Sequence, residues 1–106
     1  MYRIDVYVPE AHLEAVKRAM FNAGGGRLGG YDRCAWQVLG RGQFRPLAGS
    51  DPTLGAIGEE TSVSEYRVEM ICSRDCLPAV LHAMTQAHPY ETPAYGVVAL
   101  VNFSDQ

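Results

Sequence analysis

A chain of 106 residues is the usual size of one domain, long enough to bury roughly two thirds of the surface its unfolded form exposes. With 47% hydrophobic and 20% charged residues, it has the composition of an ordinary folded protein, which excludes a disordered or low-complexity chain. A formal net charge of −3 and a pI near 5.5 leave no broad basic surface, so neither nucleic acid nor an anionic membrane is expected as a partner.

Residues Arg3 to Val8 alternate, Ile4, Val6 and Val8 pointing one way and Arg3, Asp5 and Tyr7 the other, which is the period of a half-buried strand. Pro9 opens a stretch in which Leu13, Val16, Met20 and Ala23 recur at helical spacing, and Gly24, Gly25 and Gly26 end it. A second strand is expected from about Asp32 to Leu39, with Cys34, Trp36 and Val38 on one face, followed by a long connection from Gly40 to Glu60. Val63 to Cys72 alternates again, with Tyr66, Val68, Met70 and Cys72 inward. A helix from about Arg74 to Ala87 carries an apolar stripe of Leu77, Val80, Leu81 and Met84. Pro78 is tolerable only in the first turn, so Ser73 or Asp75 is the expected cap. Pro89 stops that helix, and Gly96 to Asn102 reads as a fourth, wholly apolar strand.

The first and second strand-helix segments match when the chain is shifted by 64, which lays Tyr2 on Tyr66, Leu13 on Leu77, Val16 on Val80 and Met20 on Met84. Two β-α-β units in series predict an α+β, ferredoxin-like fold over residues 1–106: a four-stranded antiparallel sheet with both helices on one face. The other face, carrying Tyr7, Ile71 and alternate members of Val97, Val98, Leu100 and Val101, is left uncovered. A homo-oligomer with three-fold closure is therefore the expected assembly. Met1 to Val8 has no basic and apolar signal pattern, and no apolar run reaches the length of a membrane span, so a cytoplasmic location without a membrane partner is expected. Cys34, Cys72 and Cys76 form an odd set without C-x-x-C spacing, read as three free thiols in a reducing compartment.

Motifs are few. The glycines of Gly24 to Gly30 follow a helix and precede a strand, the reverse of a phosphate-cradling order, so they read as a helix cap and turn. Arg27, Arg33, Arg41 and Arg45 suggest a local positive site suited to carboxylate or phosphate, against the plainer reading of a solvated hairpin. His88-Pro89-Tyr90-Glu91 reads first as a helix end; His88 and Glu91 are alternatively two ligands of a metal, with Cys34 as a conjectural third. No nucleophile, base and orienting group stand at the spacing of a triad.

Three ordered runs carry a resemblance: Tyr31-Asp32-Arg33-Cys34-Ala35-Trp36, Gly40-Arg41-Gly42-Gln43-Phe44-Arg45-Pro46-Leu47, and Ala87-His88-Pro89-Tyr90-Glu91-Thr92-Pro93-Ala94-Tyr95. Together they resemble the insertion domain of the YqfO-type dinuclear-metal hexameric proteins. More distantly, His88 to Glu91 with Pro93 is similar to the matching segment of CutA, a trimeric divalent-cation tolerance protein of PII-like fold. The resemblance implies a trimer with ligands held between subunits. The halves that supply the dinuclear metal site in that family are not in this sequence, whose three histidines are scattered, so the family's hydrolase activity is not expected of it.

The expectation is thus a non-catalytic oligomeric binding or assembly module. Its clefts, lined by Tyr31, Asp32, Arg45, His88, Tyr90 and Glu91, would accept a small ligand or a partner segment whose identity, like that of any cofactor, the sequence does not name. The alternative is a CutA-like divalent-metal protein using His88 and Glu91. A third reading is an enzyme with its active site at a subunit boundary.

Overall fold

The computed structural model describes residues 1–101. Strand β1 (Tyr2–Pro9) is followed by a 3-10 turn (Glu10–His12), helix α1 (Leu13–Asn22), strands β2 (Trp36–Phe44) and β3 (Thr61–Cys72), helix α2 (Leu77–Ala87) and strand β4 (Tyr95–Ala99). They form one antiparallel sheet in the order β2-β3-β1-β4, the expected ferredoxin-like α+β arrangement.

The alternation of β1 and the stripe of α1 meet in the core. Ile4, Val6 and Val8 are fully buried against Val16 and Met20, and Leu13 closes the same cluster. The shifted half repeats the solution: Val68, Met70 and Cys72 from β3 pack with Val80 and Met84 from α2. Burying each aliphatic or methionine side chain contributes about 1.5–3 kcal/mol. At the end of α1, Gly24 has φ +111°, Gly24 N–H donates to the Phe21 carbonyl at 3.0 Å and Gly25 N–H to the Met20 carbonyl at 3.0 Å. A side chain at Gly25 would stand 2.7 Å from Met70 Sδ, so glycine also lets the helix end lie against the sheet. The N-cap of α2 is Cys76, without a side-chain cap bond, rather than Ser73 or Asp75; Ser73 Oγ accepts from Cys76 N–H at 3.4 Å, and Pro78 falls within the first helical turn. His88 leaves the helix with extended φ −74° and ψ 138°, as the following proline requires.

Strand β2 differs from expectation. It begins at Trp36 rather than Asp32 and runs through Gly40 and Gly42 to Phe44, so the free connection shrinks to residues 45–60. Pairing overrides composition here: β3 offers an unbroken partner from Thr61 to Glu69, and the two glycines lie beside Glu65, where a Cβ at Gly42 would collide with the Glu65 carboxylate. Residues 32–35 instead join a loop in which Cys34 N–H donates to the Gly26 carbonyl at 2.8 Å and Gly26 N–H to the Ile71 carbonyl at 2.8 Å. Strand β4 ends at Ala99; Leu100 and Val101 lie beyond it, and Asn102 is outside the described residues.

No described element of the chain covers the second sheet face. Cross-strand pairing puts Trp36, Val38, Tyr7, Ile71 and Val98 on it, as alternation predicted for Tyr7 and Ile71. Its middle, however, is charged. Arg3 grips Asp5 with two bonds of 2.9 and 3.1 Å, and Arg67 reaches Asp5 at 3.7 Å and Glu69 at 3.3 Å. The apolar residues flank this network instead of filling the face.

Candidate functional site

Strand direction gathers four segments at one end of the sheet: the last residues of β2, the first of β3, the segment leaving α2 and the start of β4. His88 organises this end. It is 7% exposed, its Nε2 lies 2.7 Å from the Tyr7 carbonyl oxygen, and its Nδ1 accepts from Tyr90 N–H at 3.1 Å. Because Nδ1 accepts, Nε2 carries the proton and donates, which fixes a neutral tautomer. Burial lowers the His88 pKa from its ordinary value, opposed by the bond to Tyr7. With both ring nitrogens engaged, His88 would have to surrender a backbone partner to bind a metal. Among the described residues no group of three or more His, Cys, Asp and Glu side chains converges as a metal site.

The backbone bond places Tyr90 over the sheet, its ring centroid 5.0 Å from His88 and 6.4 Å from Phe44. The Tyr90 hydroxyl is buried without a hydrogen-bond partner. Burial first, then the charge and the hydrogen-accepting carboxylate of nearby Glu65, push its pKa up to about 12. Beside Tyr90 opens a cavity of about 280 Å3, walled by Tyr7, Phe44, Glu65, Tyr90, Glu91 and the loop residues Ser50, Pro52, Thr53 and Leu54. That loop is tied down across the cavity mouth. Asp51 N–H donates to the two Glu91 carboxylate oxygens at 3.2 and 3.3 Å, and Thr53 Oγ donates to the Pro89 carbonyl at 3.0 Å.

Of the residues singled out in the sequence, Tyr90 and Glu91 line this cavity, His88 supports it from below and Arg45 is exposed beyond the end of β2. Tyr31 and Asp32 lie at the opposite end of the sheet in the same chain. Tyr31 pairs with Leu28 across the Gly29-Gly30 turn and is 76% exposed. Asp32 borders a second, polar cavity of about 190 Å3 with Arg27 and Arg33. The four arginines therefore do not converge. Arg33, at φ +55°, is the only left-handed non-glycine among the described residues. Tyr7, Phe44 and Glu65 were not singled out by the sequence; the usable signal was that Tyr7 and Glu65 fall on the uncovered face by alternation.

No family model matches the chain. A GTP cyclohydrolase 1 type 2 homolog from Mycobacterium leprae is 48% identical over 96 residues, which cover 91% of this chain and 25% of that protein. The homolog of the same name from Bacillus subtilis is 41% identical over 95 residues, 90% of this chain and 26% of that protein. Among solved structures, a Bacillus cereus protein related to NIF3 superposes with a TM-score of 0.83 at 37% identity, over 95% of this chain and 26% of that one. The PII-like protein CutA from Nostoc superposes with a TM-score of 0.70 at 18% identity, over 98% of this chain and 85% of that one, a likeness of fold. The chain spans about a quarter of the length of the curated relatives it matches. The resemblance read from its three motifs holds: over nearly all of its length the chain is homologous to one segment of the YqfO/NIF3-type proteins, and it has the fold of the PII-like CutA proteins.

Proposed function

We propose that the chain is a non-catalytic binding or assembly module that works as a homo-oligomer, three copies being the favoured number, and holds a small ligand at the Tyr90-Glu91 end of the sheet. The observation that carries this reading is the cavity of about 280 Å3 formed where Phe44, Glu65 and Tyr90 meet under a tethered loop. A concave site with aromatic walls and a few polar groups is the usual form of a small-molecule pocket.

Assembly is supported by the uncovered face, where Trp36 is 60% and Val98 42% exposed beside a half-buried ion-pair network. Apolar groups grouped on one sheet face favour burial by a partner. A cytoplasmic setting goes with this reading, since Cys34, Cys72 and Cys76 are all free. The name cyclohydrolase belongs to proteins of which this chain matches a quarter.

Native mass spectrometry of protein purified without denaturation tests both halves of the reading. An oligomer carrying a retained small mass is expected, and the double substitution Tyr90→Ala, Glu91→Ala should lose that mass while keeping the assembly. A retained mass unaffected by the substitutions, or none in the wild type, would overturn the site.

A further inference from the structure

We infer that the cavity beside Tyr90 selects a small organic cation with a flat or aromatic body, for which Glu65 supplies the counter-charge. This deepens the proposed ligand site and rests on it.

The charge of the lining is one-sided. Glu65 and Glu91 are its charged members, and no Lys, Arg or His side chain is among them. Glu65 is half-buried and takes part in no ion pair among the described residues. Its nearest basic neighbour along the face, Arg67, is committed to Asp5 at 3.7 Å and Glu69 at 3.3 Å. Glu91 receives a single N–H shared between its two oxygens, which leaves most of its accepting capacity open. The backbone makes room for the acid: Gly40 is the cross-strand partner of Glu65, and any side chain at Gly42 would displace the carboxylate. Glu65 and Glu91 have no cationic partner in the lining, and a bound cation would supply one.

The walls favour the same class. Tyr7, Phe44 and Tyr90 surround the acid with rings, Phe44 and Tyr90 tilted by 51° to one another. Ring faces attract cations and stack on planar groups. The Tyr90 hydroxyl, neutral at physiological pH, keeps a lone pair to accept an N–H from such a ligand. A volume of about 280 Å3 is just below the roughly 300–1,000 Å3 usual for ligand pockets, so a one-ring molecule is the largest body it suits. Two carboxylates repel the phosphates of a nucleotide, which sets this lining apart from an anion site.

The test is amide chemical-shift titration of the full-length 15N-labelled oligomer with benzamidine, phenethylamine, benzyl alcohol and benzoate. Benzamidine and phenethylamine should shift the amides of Gly42, Thr53 and Thr92 and bind at least tenfold more tightly than benzyl alcohol, with benzoate weakest. Glu65→Gln should weaken both cations about tenfold and leave benzyl alcohol unchanged, its spectrum otherwise reporting the native fold. Equal binding of cation and alcohol, or preference for benzoate, would overturn the charge selectivity while keeping the pocket as a ligand site. If none of the four probes shifts these amides at millimolar concentration, the inference and the pocket reading fall together.

Discussion

His88 Nε2 donates to the Tyr7 carbonyl oxygen at 2.7 Å, joining residues 81 positions apart, and this bond determines where Tyr90 and the cavity stand. Since burial lowers the pKa of His88, the unfolded chain binds a proton more readily than the folded one. Stability from this residue is complete above the unfolded value near 6.5 and is lost as pH falls below it toward the folded pKa. Urea unfolding at fixed protein concentration should therefore show the wild type weakening from pH 7.5 to pH 5. His88→Phe should cost about 1–3 kcal/mol at pH 7.5, by stranding the Tyr7 carbonyl and Tyr90 N–H, and should flatten the His88 part of the pH dependence.

The loop after α1 depends on one glycine. Gly26 has φ +78°, and a Cβ there would stand 2.8 Å from the Cys34 carbonyl oxygen. Gly29 has φ +56° with open space around it. Gly26→Ala should cost more than about 2 kcal/mol through clash and strain together, and Gly29→Ala about 1 kcal/mol through strain alone. Their denaturant midpoints provide the comparison.

Met20 and Met84 occupy matching places in the two halves, and both are fully buried. Each change to alanine should destabilise by about 2–5 kcal/mol. Calorimetry should find both losses in that range; one large and one negligible loss would show that the two halves do not share the core as described.

Asp5 stands between Arg3 and Arg67 on the uncovered face, its side chain 15% exposed. Asp5→Asn keeps the shape and removes the charge, leaving Arg3 without its ion-pair partner and Arg67 with Glu69 alone. The arginines are partly solvated, so a small loss is expected, less than for a fully enclosed pair, and it should shrink in molar salt. Paired unfolding curves at low and high salt measure it.

What the sequence disclosed follows from where a single physical rule governs. Ile4, Val6 and Val8, and Val68, Met70 and Cys72, each have one buried and one open side, so period two was legible and the 64-residue offset confirmed it. In β2 the rule fails. Gly40 and Gly42 carry no hydrophobic signal, and their place is set by β3 across the sheet, a long-range pairing that composition does not encode. His88 was legible as a helix end because a proline follows it; its bond to Tyr7 joins distant segments and was not. Glu65 escaped notice for the same reason, since only the folded sheet brings it beside Phe44 and Tyr90. Tyr31 and Asp32 entered the candidate site through motif likeness, and distance along the sheet separates them from it within one chain.

Sharing of the open sheet face between copies of the chain underlies the proposed module. Size-exclusion chromatography with light scattering at micromolar concentration measures this directly. A mass that is a multiple of the 11.6 kDa chain, with three copies favoured, is the predicted result, and a stable species of 11.6 kDa alone would contradict it.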